Sequence, residues 1–290
     1  MGPEMISIDH EKCTECGLCV RDCVSGVYDQ KDGTPEIKNP DYCNMCSHCV
    51  AVCPVEAVEH HGLSGTPARP VDRKKIDPES VRETVLSRRS VRLYKQEPVP
   101  REDLEDILDT ARFSPTASNT MDVGYTVITD SKLIDDTGRK IFRQGEKLME
   151  KTMKPGGWIL KKLVNLSMGG KGLDLYLQRL PMYREWMDRG RNPVTHNAPA
   201  LIIIHGPKKG RFVRENCAIA ATNITNYAHA KGYGTCYLGL VVVPMNRSKS
   251  LSKKLGVPED RQTCLVLALG KPEIKYRSVP VRPPADVSWL

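Results

Sequence analysis

Nowhere in these 290 residues does an apolar run approach the roughly 18 residues that a membrane-spanning helix needs. The longest apolar stretches, Leu201–Ile204 and Leu238–Val243, are strand-sized. No basic, apolar, cleavable leader opens the chain, which argues against secretion. A G-x-G-x-x-G fingerprint after a strand is also missing. Gly232-Tyr233-Gly234 lacks the third glycine and follows a predicted helix, so a dedicated Rossmann pyridine-nucleotide domain is excluded. Neither an aromatic-basic platform nor a reader motif is present, and nucleic acid is not an expected partner. These absences leave a soluble, cytoplasmic protein that engages neither membrane nor nucleic acid.

Cysteine, by contrast, is concentrated. Eight of the 11 cysteines fall in two near-copies of one pattern. The first is Cys13-x2-Cys16-x2-Cys19-x3-Cys23 and the second Cys43-x2-Cys46-x2-Cys49-x3-Cys53-Pro54. A cubane iron–sulfur cluster takes three thiolates from one tight loop and a fourth from elsewhere, and in two-cluster ferredoxins the fourth cysteine of each run crosses to the other cluster. The spacing therefore assigns Cys13, Cys16, Cys19 and Cys53 to one 4Fe–4S cluster. Cys43, Cys46, Cys49 and Cys23 would hold the other. The first run departs in one respect, with Val24 where the pattern has proline. Disulfides suit small secreted chains, and zinc sites pair two C-x2-C knuckles; neither explains a doubled four-cysteine run. His48 occupies a spacer position and reads as a solvated or packing side chain.

Charge divides the chain at the same place. Residues 1–62 carry 4 Lys+Arg against 11 Asp+Glu, whereas the remainder carries 39 against 24. The basic part is either an ordinary solvated surface or an attractor of anions: its acidic neighbour, a phosphate-bearing cofactor or an acidic electron carrier. The expected organisation is a ferredoxin-like domain over residues 1–62, a Gly/Pro-rich linker over 63–76 and a larger domain over 77–290. In the larger domain, Asp77-Pro78-Glu79 reads as a helix start. Helices are expected at Glu102–Arg112 and Glu215–Lys231, and strands at Tyr125–Thr129, Ala200–His205, Thr235–Val242 and Thr263–Leu269. Residues 131–192 read as irregular helix, and the tail from Pro272 as extended. Cys217, Cys236 and Cys264, together with His196 and His205, read as core packing. The scattered lysines 147, 151, 154, 161, 162 and 171 read as solvated helix faces, with Trp158, Trp186, Arg189 and Arg191 as a possible lid.

Arg88-Arg89-Ser90-Val91-Arg92 offers forked donors and a hydroxyl, the inventory a terminal phosphate requires. Alone it reads equally as solvated surface. Ser114-Pro115-Thr116-Ala117-Ser118-Asn119, alone, reads as an ordinary helix-terminating turn. Together with Asn197-Ala198-Pro199-Ala200, Gly232-Tyr233-Gly234-Thr235-Cys236-Tyr237-Leu238-Gly239 and Leu267-Ala268-Leu269-Gly270-Lys271-Pro272, these segments occur in one order. In that order the chain resembles the nitroreductase family over roughly residues 78–290, in its ferredoxin-domain-bearing branch.

The resemblance implies an α+β fold: a three-layer α/β/α flavin domain preceded by a small bacterial-ferredoxin-like domain. It implies FMN at a homodimer interface, with Arg88, Arg89, Ser90, Arg92 and Arg282 at the phosphate and ribityl end. Pro115, Thr116, Ala117, Ser118 and Asn119 would meet the cofactor, and Tyr237, Leu238 and Gly239 would line the isoalloxazine. The sequence departs from the family at Thr120-Met121-Asp122-Val123, at Pro280 and at Leu240–Met245, all on the substrate side. The expected activity is an oxidoreductase that takes electrons from ferredoxin or flavodoxin through two 4Fe–4S clusters to FMN. The flavin would pass them to a small acceptor: a nitro-aromatic, a quinone or an activated alkene. A non-catalytic electron-transfer module, or flavin remodelling or reductive dehalogenation on the same fold, stands as the alternative. No side-chain acid is assigned.

Overall fold

A computed structural model describes residues 5–63, 65, 68–167 and 172–290. Lys171 and linker positions 64, 66 and 67 lie outside the described residues. The chain forms two compact units. The first is Met1–Asp77 with Thr116–Thr120, and the second is Pro78–Pro115 with Met121–Leu290. Thr116–Thr120, expected in the larger domain, thus groups with the cysteine-rich part.

In the first unit, β1 (Ile6–Ile8) pairs antiparallel with β4 (Val58–His60), and β2 (Tyr28–Lys31) with β3 (Thr34–Ile37). Asp32-Gly33, both at positive φ, close the second hairpin, the pairing that a two-residue turn with both central residues left-handed demands. Each cysteine run wraps a loop and enters a five-residue helix, α1 (Leu18–Asp22) or α2 (His48–Val52). Matching positions of the two loops adopt the left-handed region: Glu15 and Met45, then Gly17 and Ser47. Such backbone costs about 1–3 kcal/mol at a non-glycine residue and persists where the surroundings enforce it. Here it turns successive sulfurs and amides inward. A small core of Ile6, Val27, Tyr28 and Val58 packs against Cys19 and Cys49.

The second unit opens with α3 (Pro78–Ser87) and α4 (Arg101–Ala111). Strand β5 (Gly124–Ile128) precedes three helices over the expected helical stretch, α5 (Ser131–Met153), α6 (Gly157–Ser167) and α7 (Gly172–Asp188). Then come β6 (Ala200–Pro207), α8 (Val213–Ala230), β7 (Gly234–Tyr237), α9 (Gly239–Arg247), α10 (Lys249–Lys254) and β8 (Arg261–Gly270). The four strands form one antiparallel sheet in the order β5-β6-β8-β7.

Both faces of that sheet are covered, and strand alternation decides which residue faces which layer. Leu201, Ile203, Val266 and Ala268 join a core with Ile134, Ile141 and Phe142 of α5 and Val241 and Met245 of α9. Ala200, Ile202, Ile204, Leu267 and Leu269 join a second core with Leu104 and Ile107 of α4 and Cys217, Ala221 and Ile224 of α8. The result is the expected three-layer arrangement. Lys231 clamps α4 to α8 by bonding Asp103 at 2.9 Å and Asp106 at 2.6 Å, with Tyr227 and Tyr233 donating their hydroxyls to the same carboxylates.

The expected strand over Thr235–Val242 is corrected. It stops at Tyr237, and Gly239 starts a helix. In a strand Val241 and Val243 would share a face. Instead Val241 is 1% exposed and Val243 44%, while Val241 and Met245 are buried one helical turn apart. Helical burial overrides the β-branched run Val241-Val242-Val243.

Candidate functional site

Two cavities mark the first unit, and the cysteines divide between them as the spacing implies. One is lined by Cys13, Cys16, Cys19 and Cys53. The other is lined by Cys43, Cys46, Cys49 and Cys23. Each therefore has three sulfurs from one run and the fourth from the other. Among the described residues no three His, Cys, Asp or Glu side chains converge on a single ion. The sulfurs surround a volume rather than a point, which suits a multi-iron cubane better than zinc. Backbone amides already point at the sulfurs: Glu15 N–H to Cys13 at 3.4 Å, Met45 to Cys43 at 3.3 Å and Ala57 to Cys53 at 3.2 Å. Such bonds stabilise thiolate charge. Burial pushes the Cys19 and Cys49 thiols up, and a cationic occupant would favour their thiolates.

Among the polar residues that line the second cavity, His60 and Tyr28 were missed by pattern reading. His60 lies with its Nε2 at 3.3 Å from Cys43 Sγ. The buried Tyr28 hydroxyl has no hydrogen-bond partner and lines the same cavity as Cys49. Strand alternation places His60 on the face of Val58, a signal that was available once β4 was set against the cysteines. His48 is a surface group paired with Asp22 at 3.2 Å.

The turn Thr116–Asn119 belongs to this unit as well. Ser118, Asn119 and Met121 all sit at positive φ. The Asn119 amide donates to the carbonyls of Asn44 at 3.0 Å and Met45 at 2.9 Å, inside the second cysteine loop.

In the second unit the basic segment is fixed as an extra edge on β7. Ser90 bridges Thr235, and the Val91 amide donates to the Thr235 carbonyl at 2.9 Å. The close approach needs Gly234, because a Cβ there would collide with Val91. The three arginines then part company. Arg89 is spent on backbone, donating to Leu86 at 2.7 Å, Arg88 at 2.6 Å and Ser278 of the tail at 2.9 Å. Arg92 is exposed and lies beside the Cys236 thiol and the His196 ring. Arg88, with Arg89, lies near His229, which burial and these charges hold below the usual imidazole range. Thr235 Oγ1 is buried with no partner. Arg88 and Arg92 flank Ser90, which bridges Thr235, and a cationic segment with a hydroxyl suits an anionic group such as a flavin phosphate.

The remaining expected positions are more dispersed. Leu238 is 3% exposed, with its side chain in the core, so only its backbone can face a ligand. Tyr237 is partly exposed, Gly239 starts α9, Pro115 is exposed, and Arg282 lies in the exposed tail. Cys217, Cys236 and Cys264 are buried, as expected. His196 was read as packing, yet its Nδ1 is buried without a partner and the ring is held at about 4 by burial, Arg92 and Arg191. Arg191 also stacks on Trp186 at 4.0 Å.

Residues 85–271 match the model of the nitroreductase family, and residues 5–61 match that of a 4Fe-4S dicluster domain. The chain belongs to the nitroreductase family. Within that family it is 24% identical over 193 residues to a protein of Archaeoglobus fulgidus named as an NADH dehydrogenase/NAD(P)H nitroreductase, covering 65% of this chain and 83% of the relative. It is 25% identical over 225 residues to iodotyrosine deiodinase 1 of Rattus norvegicus, covering 75% and 70%. The fold is similar to that of an FMN-bound nitroreductase from Bacteroides fragilis, with a TM-score of 0.51, 21% identity, and 72% and 98% of the two chains covered. This nitroreductase-family chain is thus an oxidoreductase that joins a ferredoxin-type domain to the family's catalytic fold.

Proposed function

We propose that this nitroreductase-family protein takes single electrons from a low-potential carrier of the ferredoxin or flavodoxin class. It relays them through two 4Fe–4S clusters to FMN and reduces a small organic acceptor, a nitro-aromatic, quinone or activated alkene. It acts in the cytoplasm as a homodimer. Bound clusters would supply one-electron steps and FMN would pair those electrons for delivery. Cys13, Cys16, Cys19 and Cys53, and Cys43, Cys46, Cys49 and Cys23, hold the clusters. Arg88, Arg92 and Arg282 would neutralise the flavin phosphate and the Ser90 hydroxyl would donate to it, while Arg89 braces the tail through the Ser278 carbonyl. Thr116, Ala117, Ser118 and Asn119 carry the flavin edge, and the backbone at Tyr237–Gly239 supports its ring. The observation that carries the reading is the Asn119 amide bonded to the second cysteine loop, which couples the flavin-assigned turn to a cluster ligand loop.

The test is anaerobic turnover of a nitro-aromatic with reduced ferredoxin or with NADH as sole reductant. Turnover with ferredoxin and little with NADH supports the relay. Equal turnover with NADH after removal of residues 1–62 overturns it. A second reading, reductive dehalogenation, is favoured by the likeness to iodotyrosine deiodinase 1; halide release from a halogenated tyrosine would support it.

A further inference from the structure

The two cysteine cavities are built by a duplicated sequence, yet their linings differ. The first is walled mainly by apolar residues, Ile8, Leu18, Val55 and Val58 among them, with Thr14 beside the cysteines. Backbone amides bond its sulfurs, Glu15 N–H to Cys13 and Ala57 N–H to Cys53. The second cavity adds side chains: His60 at 3.3 Å from Cys43, and the buried, otherwise unpartnered hydroxyl of Tyr28 on the same wall as Cys49. The duplication supplies its own comparison. Thirty residues separate matching cysteines, so Tyr28 corresponds to Val58 and His60 to Gln30. The Gln30 amide donates to the Gly33 carbonyl at 2.6 Å and so is turned to backbone instead of to sulfur.

Hydrogen bonds to cluster sulfurs stabilise the more negative, reduced state and raise the reduction potential. From the unequal linings we infer that the cluster held by Cys43, Cys46, Cys49 and Cys23 has the higher potential of the two, and that His60 and Tyr28 are the positioning residues that set the gap. One electron leaving the first cluster, which is oxidised, enters the second, which is reduced; no proton or further reactant is required. Electrons then rest on the cluster whose loop is bonded to Asn119. This deepens the proposed relay and rests on it.

The test is a redox titration of the full chain followed by electron paramagnetic resonance, with iron and acid-labile sulfide quantified. Two separate one-electron steps are expected. Cys46→Ser marks the higher step and Cys16→Ser the lower, whether the serine shifts or abolishes it. Tyr28→Phe, which keeps the ring and removes only the hydroxyl, lowers the higher step and leaves the other in place. His60→Gln, the residue of the matching position, does the same. Two clusters titrating as one step, or variants that move the lower step or neither, would overturn the inference while leaving the relay standing. A preparation lacking iron and sulfide would instead remove the relay itself.

Discussion

Asn119 Nδ2 lies 2.9 Å from the carbonyl oxygen of Met45, two left-handed residues from separate parts of the sequence joined within one unit. Met45 sits between two cluster cysteines, and its own amide donates to Cys43. One side chain therefore fastens the turn assigned to the flavin to the loop assigned to a cluster. Asn119 holds a backbone conformation that asparagine tolerates better than most residues.

Replacing Asn119 with alanine removes both hydrogen bonds and strains the turn. A loss of about 1–3 kcal/mol in stability is expected. Iron and sulfide content should stay unchanged, whereas the rate of flavin bleaching after mixing with a reduced one-electron donor should fall. Stopped-flow absorbance on the anaerobic protein checks this; an unchanged rate would show that the turn does not couple the two sites.

The three arginines of the basic segment should separate in experiment as they do in space. Arg88→Ala and Arg92→Ala should each weaken FMN binding by about 1.5–3 kcal/mol, roughly tenfold or more, with little effect on thermal stability. Arg89→Ala should instead free the tail, because its guanidinium bonds Leu86, Arg88 and Ser278. Faster proteolysis after residue 270 should accompany that change. Fluorescence titration with FMN and limited digestion distinguish the two outcomes.

His196 gives a pH dependence with a defined sign. Its folded value of about 4 lies below the ordinary 6.5, so the unfolded chain binds the extra proton. Stability should be complete above about 6.5 and fall as pH drops toward 4, by up to roughly 3 kcal/mol from this group. His205 and His229 are shifted in the same direction and add to the slope. Urea unfolding at pH 5.5 and 7.5 should show a smaller difference for His196→Gln than for the unaltered chain.

Gly138 of α5 admits the carboxamide of Asn192, which a Cβ would strike. Asn192 in turn accepts from the amides of Val194 at 3.0 Å and Thr195 at 3.2 Å and donates to Asp135 at 3.0 Å. Gly138→Ala should cost about 1–3 kcal/mol by overpacking and loosen the loop that bears His196. A lowered melting temperature with unchanged iron content checks it.

The parts legible in the sequence are those fixed by local chemistry. Cysteine spacing gave both cavities, including the exchange of Cys23 and Cys53, because cluster geometry constrains neighbouring ligands directly. The sheet strands at Tyr125 and Ala200 were readable from short buried runs. The run Leu240–Val243 was not, since its β-branched residues favour a strand and only the burial of Val241 in one core with Leu238 and Met245 makes it helical. His60 and Tyr28 were missed because their roles depend on strand pairing across β1–β4 and on the hairpin β2–β3. The bond from Arg89 to the Ser278 carbonyl was not legible because the two residues are 189 positions apart.

The most direct measurement compares flavin reduction by reduced ferredoxin in the full chain and in a Cys16→Ser/Cys46→Ser double variant, anaerobically and with equal FMN loading. The account expects rapid bleaching in the first and a fall to the rate of a donor-free control in the second. Equal rates would contradict it, because electrons would then reach the flavin without the clusters.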